Sequence, residues 1–268
     1  MMKGGKDPEV TVLMACFNAE RWLAEAIESV LSQTYATFEF IIIDDGSTDA
    51  TLGIVRRYEK VDSRIKVIAK SNRGLADSLN IGISQASGQW IARMDADDWS
   101  YPERLERQVA FIREHPEVDV LGTGAELIGT DDEVWNVIFL PEKHSQIVKT
   151  AFKKTLFFHP SVMMKKSFLE EVGGYDDKLL RSQDFELWVK GIKHGYIYHN
   201  LQEVLLKYRT NNYQMSIKNI TNSFISCIVI SLRYRHFIKG LKSAFIGLLK
   251  NMLVHYGMYK PMSIRRKS

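Results

Sequence analysis

The 268-residue sequence predicts an α/β fold with a mainly parallel central sheet flanked by helices. Three observations carry that expectation. Short β-rich runs alternate with helical patterns through the first hundred residues, as strands joined by crossover helices do. The run at 38–43 is almost continuously apolar, which marks a strand buried on both faces. Each of the first four apolar runs is followed by a polar, turn-forming motif, and in an open parallel sheet ligands sit beyond the carboxyl ends of the strands.

The elements follow in order. Residues 10–14 form the first expected strand. A helix over about 19–33 places Trp22, Leu23, Ala26, Ile27, Val30 and Leu31 on one face at the 3.6-residue repeat. After the strand at 38–43, Asp45-Gly46-Ser47-Thr48-Asp49 supplies a glycine turn and a choice of N-caps for a helix through Tyr58. Strands at 65–69 and 89–94 bracket a helix at 74–84. Past Pro102 a helix runs to about Glu114, with Leu105, Val109 and Ile112 as its apolar side. A strand at 118–121, a hairpin or irregular excursion over 126–140, and mixed short elements over about 141–210 complete the domain. From about 217 the chain reads as a helical extension, rich in apolar and basic residues.

Composition is that of a soluble globular protein, with 45% hydrophobic and 25% charged residues. Two cysteines, Cys16 and Cys227, give no framework of disulfides or zinc ligands. No signal-peptide pattern and no apolar run of membrane-spanning length is visible, so a cytoplasmic location is expected. The net charge of +4 is unevenly spread: from Lys218 onward there are Lys and Arg but no Asp or Glu. That basic tail points to an anionic surface or partner. It carries no nucleic-acid recognition motif, and nucleic acid is not an expected partner.

The densest chemistry lies in Met94-Asp95-Ala96-Asp97-Asp98-Trp99, three carboxylates within four residues after a buried strand. Carboxylates this close repel one another, and holding them near a core is costly unless a positive group is present. A divalent cation carrying phosphate oxygens satisfies that need. The structural alternative is a polar loop in which Asp98 or Ser100 caps the next helix. Ala15-Cys16-Phe17-Asn18, Asp44-Asp45-Gly46-Ser47 and Ser71-Asn72-Arg73-Gly74 fall at the same sheet edge, which favours a large, polar, phosphate-bearing ligand. No Walker loop or Gly-rich dinucleotide fingerprint is present, so an ordinary ATP or NAD site is not expected.

Thr11-Val12-Leu13-Met14-Ala15-Cys16-Phe17-Asn18, Ser29 to Thr34, Ile43-Asp44-Asp45-Gly46-Ser47-Thr48-Asp49, Asn72-Arg73-Gly74 with Asn80-Ile81-Gly82, and Asp95-Ala96-Asp97-Asp98 with Pro102-Glu103-Arg104-Leu105 together resemble family-2 glycosyltransferases of the GT-A fold. The resemblance covers about residues 10–210. It implies a GT-A domain at 8–215, with nucleotide-sugar binding over about 8–100 and acceptor binding with the catalytic base over about 101–215, followed by the basic tail at 216–268. It also implies a UDP- or dTDP-sugar donor and a Mn²⁺ or Mg²⁺ cofactor. On that resemblance Asp45 accepts a hydrogen bond from the base, Ala15, Phe17 and Asn18 line the base pocket, Arg73 assists nearby, Asp95 approaches the ribose and Asp97 binds the metal.

For the second half the resemblance implies that Asp184, in Gln183-Asp184-Phe185-Glu186, is the catalytic base of an inverting displacement. Gln183 stands where relatives often carry Glu. The bland alternative makes Asp184 or Ser182 a helix cap. His159, Gly174 and Tyr175 are acceptor-site candidates. Thr210-Asn211-Asn212 replaces the histidine many relatives carry after Tyr208-Arg209, and the motif of processive synthases is absent, so one sugar per encounter is expected. The implied acceptor is a glycan or lipid-linked hydroxyl, from cell-surface glycan or polysaccharide synthesis. The tail has two readings: a helix pair packed on the domain, or docking at the inner face of the cell membrane. A sugar nucleotidyltransferase, or a non-catalytic binding protein on the same fold, remains the rival reading.

Overall fold

The computed structural model describes residues 8–151, 155–179, 181–210, 229–230 and 232–234. The first half is β1 (Val10–Cys16), α1 (Leu23–Leu31), β2 (Phe38–Asp44), α2 (Thr51–Val61), β3 (Ile65–Ala69), α3 (Leu75–Gln85) and β4 (Trp90–Asp95). The second half is β5 (Trp99–Ser100), α4 (Arg104–Glu114), β6 (Val120–Ile128), β7 (Val134–Ile138), α5 (His144–Thr150), a 3₁₀ turn (His159–Ser161), β8 (Met163–Lys165), α6 (Lys166–Glu171), α7 (Gln183–His194) and β9 (Tyr198–Arg209).

These strands form one sheet in the order β3-β2-β1-β4-β8-β6-β9-β5, with β7 paired to β6. The first four are parallel, as the alternating pattern predicts. The second half is mixed: β8 is antiparallel to both β4 and β6, β9 is parallel to β6, and β5 and β7 are antiparallel to their neighbours. Register sets the site. Cys16 pairs with Asp44, Ala15 with Asp95 and Asp44 with Ala69, so the loops after all four parallel strands leave the sheet at one edge.

Burial on both faces explains the unbroken apolar runs. Alternation along β1 sends Val12 and Met14 to one side, against Leu23, Ile27 and Val30 of α1 and Leu105, Val109 and Ile112 of α4. Leu13 faces the other way, against Ala76, Leu79 and Ile83 of α3. Each such side chain contributes about 1.5–3 kcal/mol on burial. Gly82 is needed where α3 meets β1, because a Cβ there would overlap the Leu13 side chain. Gln33 fastens the end of α1 to the segment entering α4: its Nε2 donates to the carbonyls of Tyr101 (2.7 Å) and Ser29 (3.0 Å), and its Oε1 accepts from the Leu105 N–H at 2.9 Å.

Several local expectations change. The strand expected at 118–121 extends to Ile128 and pairs with β7, so the excursion after it is a hairpin. Neither Asp98 nor Ser100 caps α4: the cap position is Glu103, without a side-chain bond, while Asp98 and Ser100 are committed to Arg209 and Gln33. Ser182 is the N-cap residue of α7 but makes no side-chain capping bond. Among the described residues no helix is long and apolar enough to cross a membrane. Of the expected helical tail, Val229, Ile230, Leu232 and Arg233 are helical, and the remainder lies outside the described residues.

Candidate active site

β4 ends by delivering Asp95 to the sheet edge, and the chain turns immediately through Asp97 and Asp98. One oxygen from each of the three carboxylates lies within 4.8 Å of the others. Burial, then the neighbouring Asp95, pushes the Asp97 carboxyl up to about 6. Asp98 is buried and held well above the usual carboxylate range, first by burial and then by Asp95 and Asp97. Its Oδ1 accepts the backbone N–H of Arg209 at 2.7 Å, while Oδ2 has no hydrogen-bond partner among the described residues. The buried Arg209 guanidinium donates to the Asp97 carbonyl (2.9 Å), the Gly129 carbonyl (3.2 Å) and Asp132 (2.6 Å), binding the carboxylate loop to the end of β9. Arg93, also buried, pairs with Asp95. This crowding of Asp95, Asp97 and Asp98 fits a divalent cation, because protonation or a cation are the two ways to relieve it.

The loops after β1, β2 and β3 are tied to one another. Asn18, at a positive φ of 49°, accepts the Thr48 N–H at 2.8 Å, and its own N–H donates to Ser47 Oγ at 3.0 Å. Ala15 is half-buried at the end of β1, and Phe17 is exposed beside Asn18. Asp45 is buried and accepts from Lys70 and from the N–H groups of Arg73 (2.9 Å) and Gly74 (2.8 Å). Burial raises its pKa, but these bonds more than offset that and leave it below the usual carboxylate range. Asp45 therefore latches the loop that starts α3, a task the sequence did not suggest, and a base contact would be added to it. The Arg73 guanidinium is mostly exposed and pairs with Asp77 at 2.8 Å.

Between the carboxylate loop and α7 lies a cavity of about 390 Å³, lined among others by Arg93, Asp95, His159, Tyr175, Asp184 and Tyr208. Asp184 enters it from the first turn of α7, after Ser182 turns the chain at a φ of 61°. Burial raises the Asp184 pKa, opposed by the Phe185 N–H and by Arg93. In the same cavity, His159 Nε2 and the Tyr175 hydroxyl are 2.7 Å apart. Burial, with Arg93 adding repulsion, holds His159 well below its ordinary pKa, so the ring is neutral. Gly174 turns at a φ of 64°, and a Cβ there would collide with Asn80. Asn80 clasps the next residue, accepting the Tyr175 N–H at 2.9 Å and donating to its carbonyl at 2.8 Å.

Thus Asp95, His159, Tyr175 and Asp184 meet in one cavity, with Asp97 in the cluster at its edge and Gly174 shaping its wall. Ala15, Phe17, Asn18, Asp45 and Arg73 belong to the neighbouring loops and do not line it. Sequence reasoning passed over Arg93, and it quoted Asn80 and Arg209 only within motifs, without a role for either. A signal existed for Arg93: a charge inside the strand Trp90–Asp95 is costly unless paired.

With this geometry in hand, comparison with known proteins is informative. The chain matches the profile of glycosyl transferase family 2 over residues 11–173. It is 40% identical over 227 residues to EpsE of Bacillus subtilis strain 168, covering 83% of this chain and 81% of EpsE. It is 31% identical over 250 residues to the O-antigen biosynthesis glycosyltransferase WbnJ of Escherichia coli, covering 92% and 94%. Among solved structures, S. aureus TarS 1–349 in complex with UDP-GlcNAc superposes with a TM-score of 0.72 at 19% identity, over 97% of this chain and 76% of that one. The mannosyltransferase PcManGT from Pyrobaculum calidifontis, in complex with GDP-Man and Mn²⁺, gives 0.66 at 16% identity, over 96% and 77%. These two likenesses show the fold, a mixed α/β sheet of GT-A type. The sequence relationships show the family: this chain belongs to glycosyl transferase family 2, and it is a glycosyltransferase.

Proposed function

We propose that the protein moves one sugar from a UDP- or dTDP-sugar to a hydroxyl of a glycan or lipid-linked acceptor, with inversion, using Mn²⁺ or Mg²⁺. The observation that carries this reading is that Asp95, a member of the carboxylate cluster, and Asp184, on α7, line one cavity. A nucleotide sugar whose diphosphate lies at the cluster would present its anomeric carbon toward Asp184. The UDP-GlcNAc bound to TarS and the GDP-Man and Mn²⁺ bound to PcManGT support a nucleotide-sugar donor and a metal on this fold.

In this mechanism Asp97 would hold the metal, and Asp95, oriented by Arg93, would face the ribose. When bound, the cation stabilises the charge that develops on the departing nucleoside diphosphate. Asp45 and the Asn18 loop would enclose the base. Asp184 would take the proton from the acceptor hydroxyl; its raised pKa makes it a better base than an exposed carboxylate. The His159–Tyr175 pair and the Gly174 turn shape the acceptor wall without carrying charge.

Thermal denaturation with UDP-, dTDP- and GDP-sugars, each with and without Mn²⁺, tests the reading. A UDP- or dTDP-sugar should raise the melting temperature in the presence of the metal, since a ligand that binds only the native state stabilises it. Stabilisation by GDP-sugars alone, or by no nucleotide sugar, overturns the donor assignment. The basic tail would place the enzyme at an anionic membrane; flotation with phosphatidylglycerol liposomes that fails to recover the full-length protein overturns that part.

A further inference from the structure

Glu186 is 1% exposed, on the first turn of α7, two residues from Asp184. A buried carboxylate must be paired, and two of its partners come from far along the chain. The Tyr234 hydroxyl donates to Glu186 Oε1 at 2.7 Å, and Arg233 Nη1 reaches the same oxygen at 3.2 Å. Arg233 Nη1 also pairs with Asp176 at 2.6 Å. Lys190, one turn along α7, lies 3.0 Å from Glu186 Oε2 and donates to the Gly174 carbonyl at 2.7 Å. Ile230, fully buried, and Tyr234 pack with Leu179 and Val189, and Phe185 joins that cluster.

The arrangement has a directional consequence. Residues i and i+2 on a helix project to different sides, so fixing Glu186 on the buried side fixes the rotation that presents Asp184 to the cavity. Arg233 also holds Asp176, which directly follows Tyr175, and Tyr175 lines the same cavity as Asp184. One guanidinium thus ties the segment carrying Tyr175 to the helix carrying Asp184.

We propose that Arg233 and Tyr234 are positioning residues for the catalytic base, a clamp supplied by the C-terminal segment that sets the rotation of α7 and its distance from the Tyr175 wall. The proposal rests on Asp184 being the base. It extends the working site past β9, which ends at Arg209. The clamp acts on the acceptor half and leaves the nucleotide-binding loops untouched.

The test uses full-length Arg233→Ala, Arg233→Lys, Tyr234→Phe and Asp184→Asn proteins. UDP binding with Mn²⁺ is measured by calorimetry, UDP release from UDP-GlcNAc by turnover, and amide hydrogen exchange by mass spectrometry. For Arg233→Ala the expectation is a kcat lowered at least about tenfold, a KM for UDP-GlcNAc within about twofold of wild type, and unchanged UDP affinity. Arg233→Lys should recover most of the turnover, and exchange should rise over residues 176–187 but not over 38–69. Wild-type exchange over 176–187 in Arg233→Ala overturns the clamp whichever nucleotide sugar is the donor. If Asp184→Asn abolishes turnover while Arg233→Ala keeps it, the clamp alone fails. If Asp184→Asn keeps it, the assignment of the base fails.

Discussion

Asn80 on α3 holds the backbone of Tyr175 at both ends, its amide oxygen on the N–H and its amide nitrogen on the carbonyl. A helix of the parallel half of the sheet thereby fixes the Gly174–Tyr175 turn, 95 residues away in sequence. Asn80→Ala should remove two hydrogen bonds and destabilise the protein by about 2 kcal/mol in urea unfolding. Gly174→Ala should cost about 1 kcal/mol or more, because φ is positive and the new Cβ meets Asn80. A neutral result for Asn80→Ala would mean that the turn is held elsewhere.

Asp45 gives an acid-limb prediction. Its folded pKa lies below the usual range, so the stability it contributes is complete above the unfolded value of about 4 and is lost as pH falls through the folded value. Asp45→Asn should be less stable than wild type by about 3 kcal/mol at pH 7. The gap should close at the acid end of the profile, where the wild-type carboxylate is also protonated. A gap independent of pH would show that lost packing, not lost charge, is responsible.

Asp97 runs the other way. With its folded pKa at about 6, protonation favours the native state. Its contribution is therefore full below the unfolded value of about 4 and fades as pH rises to about 6. In EDTA at pH 7, Asp97→Asn should be more stable than wild type by about 1–3 kcal/mol. Added Mn²⁺ should raise the melting temperature of the wild type and not of the variant. Equal responses to Mn²⁺ would place the metal on other groups.

Asp184→Asn should retain UDP binding while sugar transfer falls by about 10²–10⁴-fold. In the wild type, kcat/KM should rise with pH as Asp184 ionises, on a limb displaced above the ordinary carboxylate range by burial. A pH profile that is flat across that range would remove Asp184 from the role of base.

Of the parallel strands, β2 was legible because burial on both faces leaves a nearly unbroken apolar run, β3 alternates with Lys66 exposed, and the polar loops after all four marked one sheet edge. The order of strands in the second half was not. β8 is three residues long, too short to carry a period, yet it is the strand inserted between β4 and β6. Asp95, Asp97 and Asp184 were readable as chemistry because their motifs are local. Arg93, the Asn80 clasp and the Arg209 anchor were not, since each consists of a partnership between residues distant in sequence. Asp98 shows the difference well: as sequence it is a rival helix cap, and only the fold reveals the Arg209 N–H at the end of β9.

That last bond also sets a schedule. Asp98 and Arg209 are 111 residues apart, and the guanidinium that holds the Asp97 carbonyl belongs to the same late residue. During synthesis β1 to β4 emerge well before β9, so even their longest pairing, β1 with β4 (Val10 opposite Trp90), can form before that strand is made. The loop carrying Asp97 and Asp98 acquires its anchor only when β9 docks beside β6. A nascent chain that ends before β9 therefore has its four parallel strands but no anchor for the carboxylate loop, which is fixed only once the last described strand is in place.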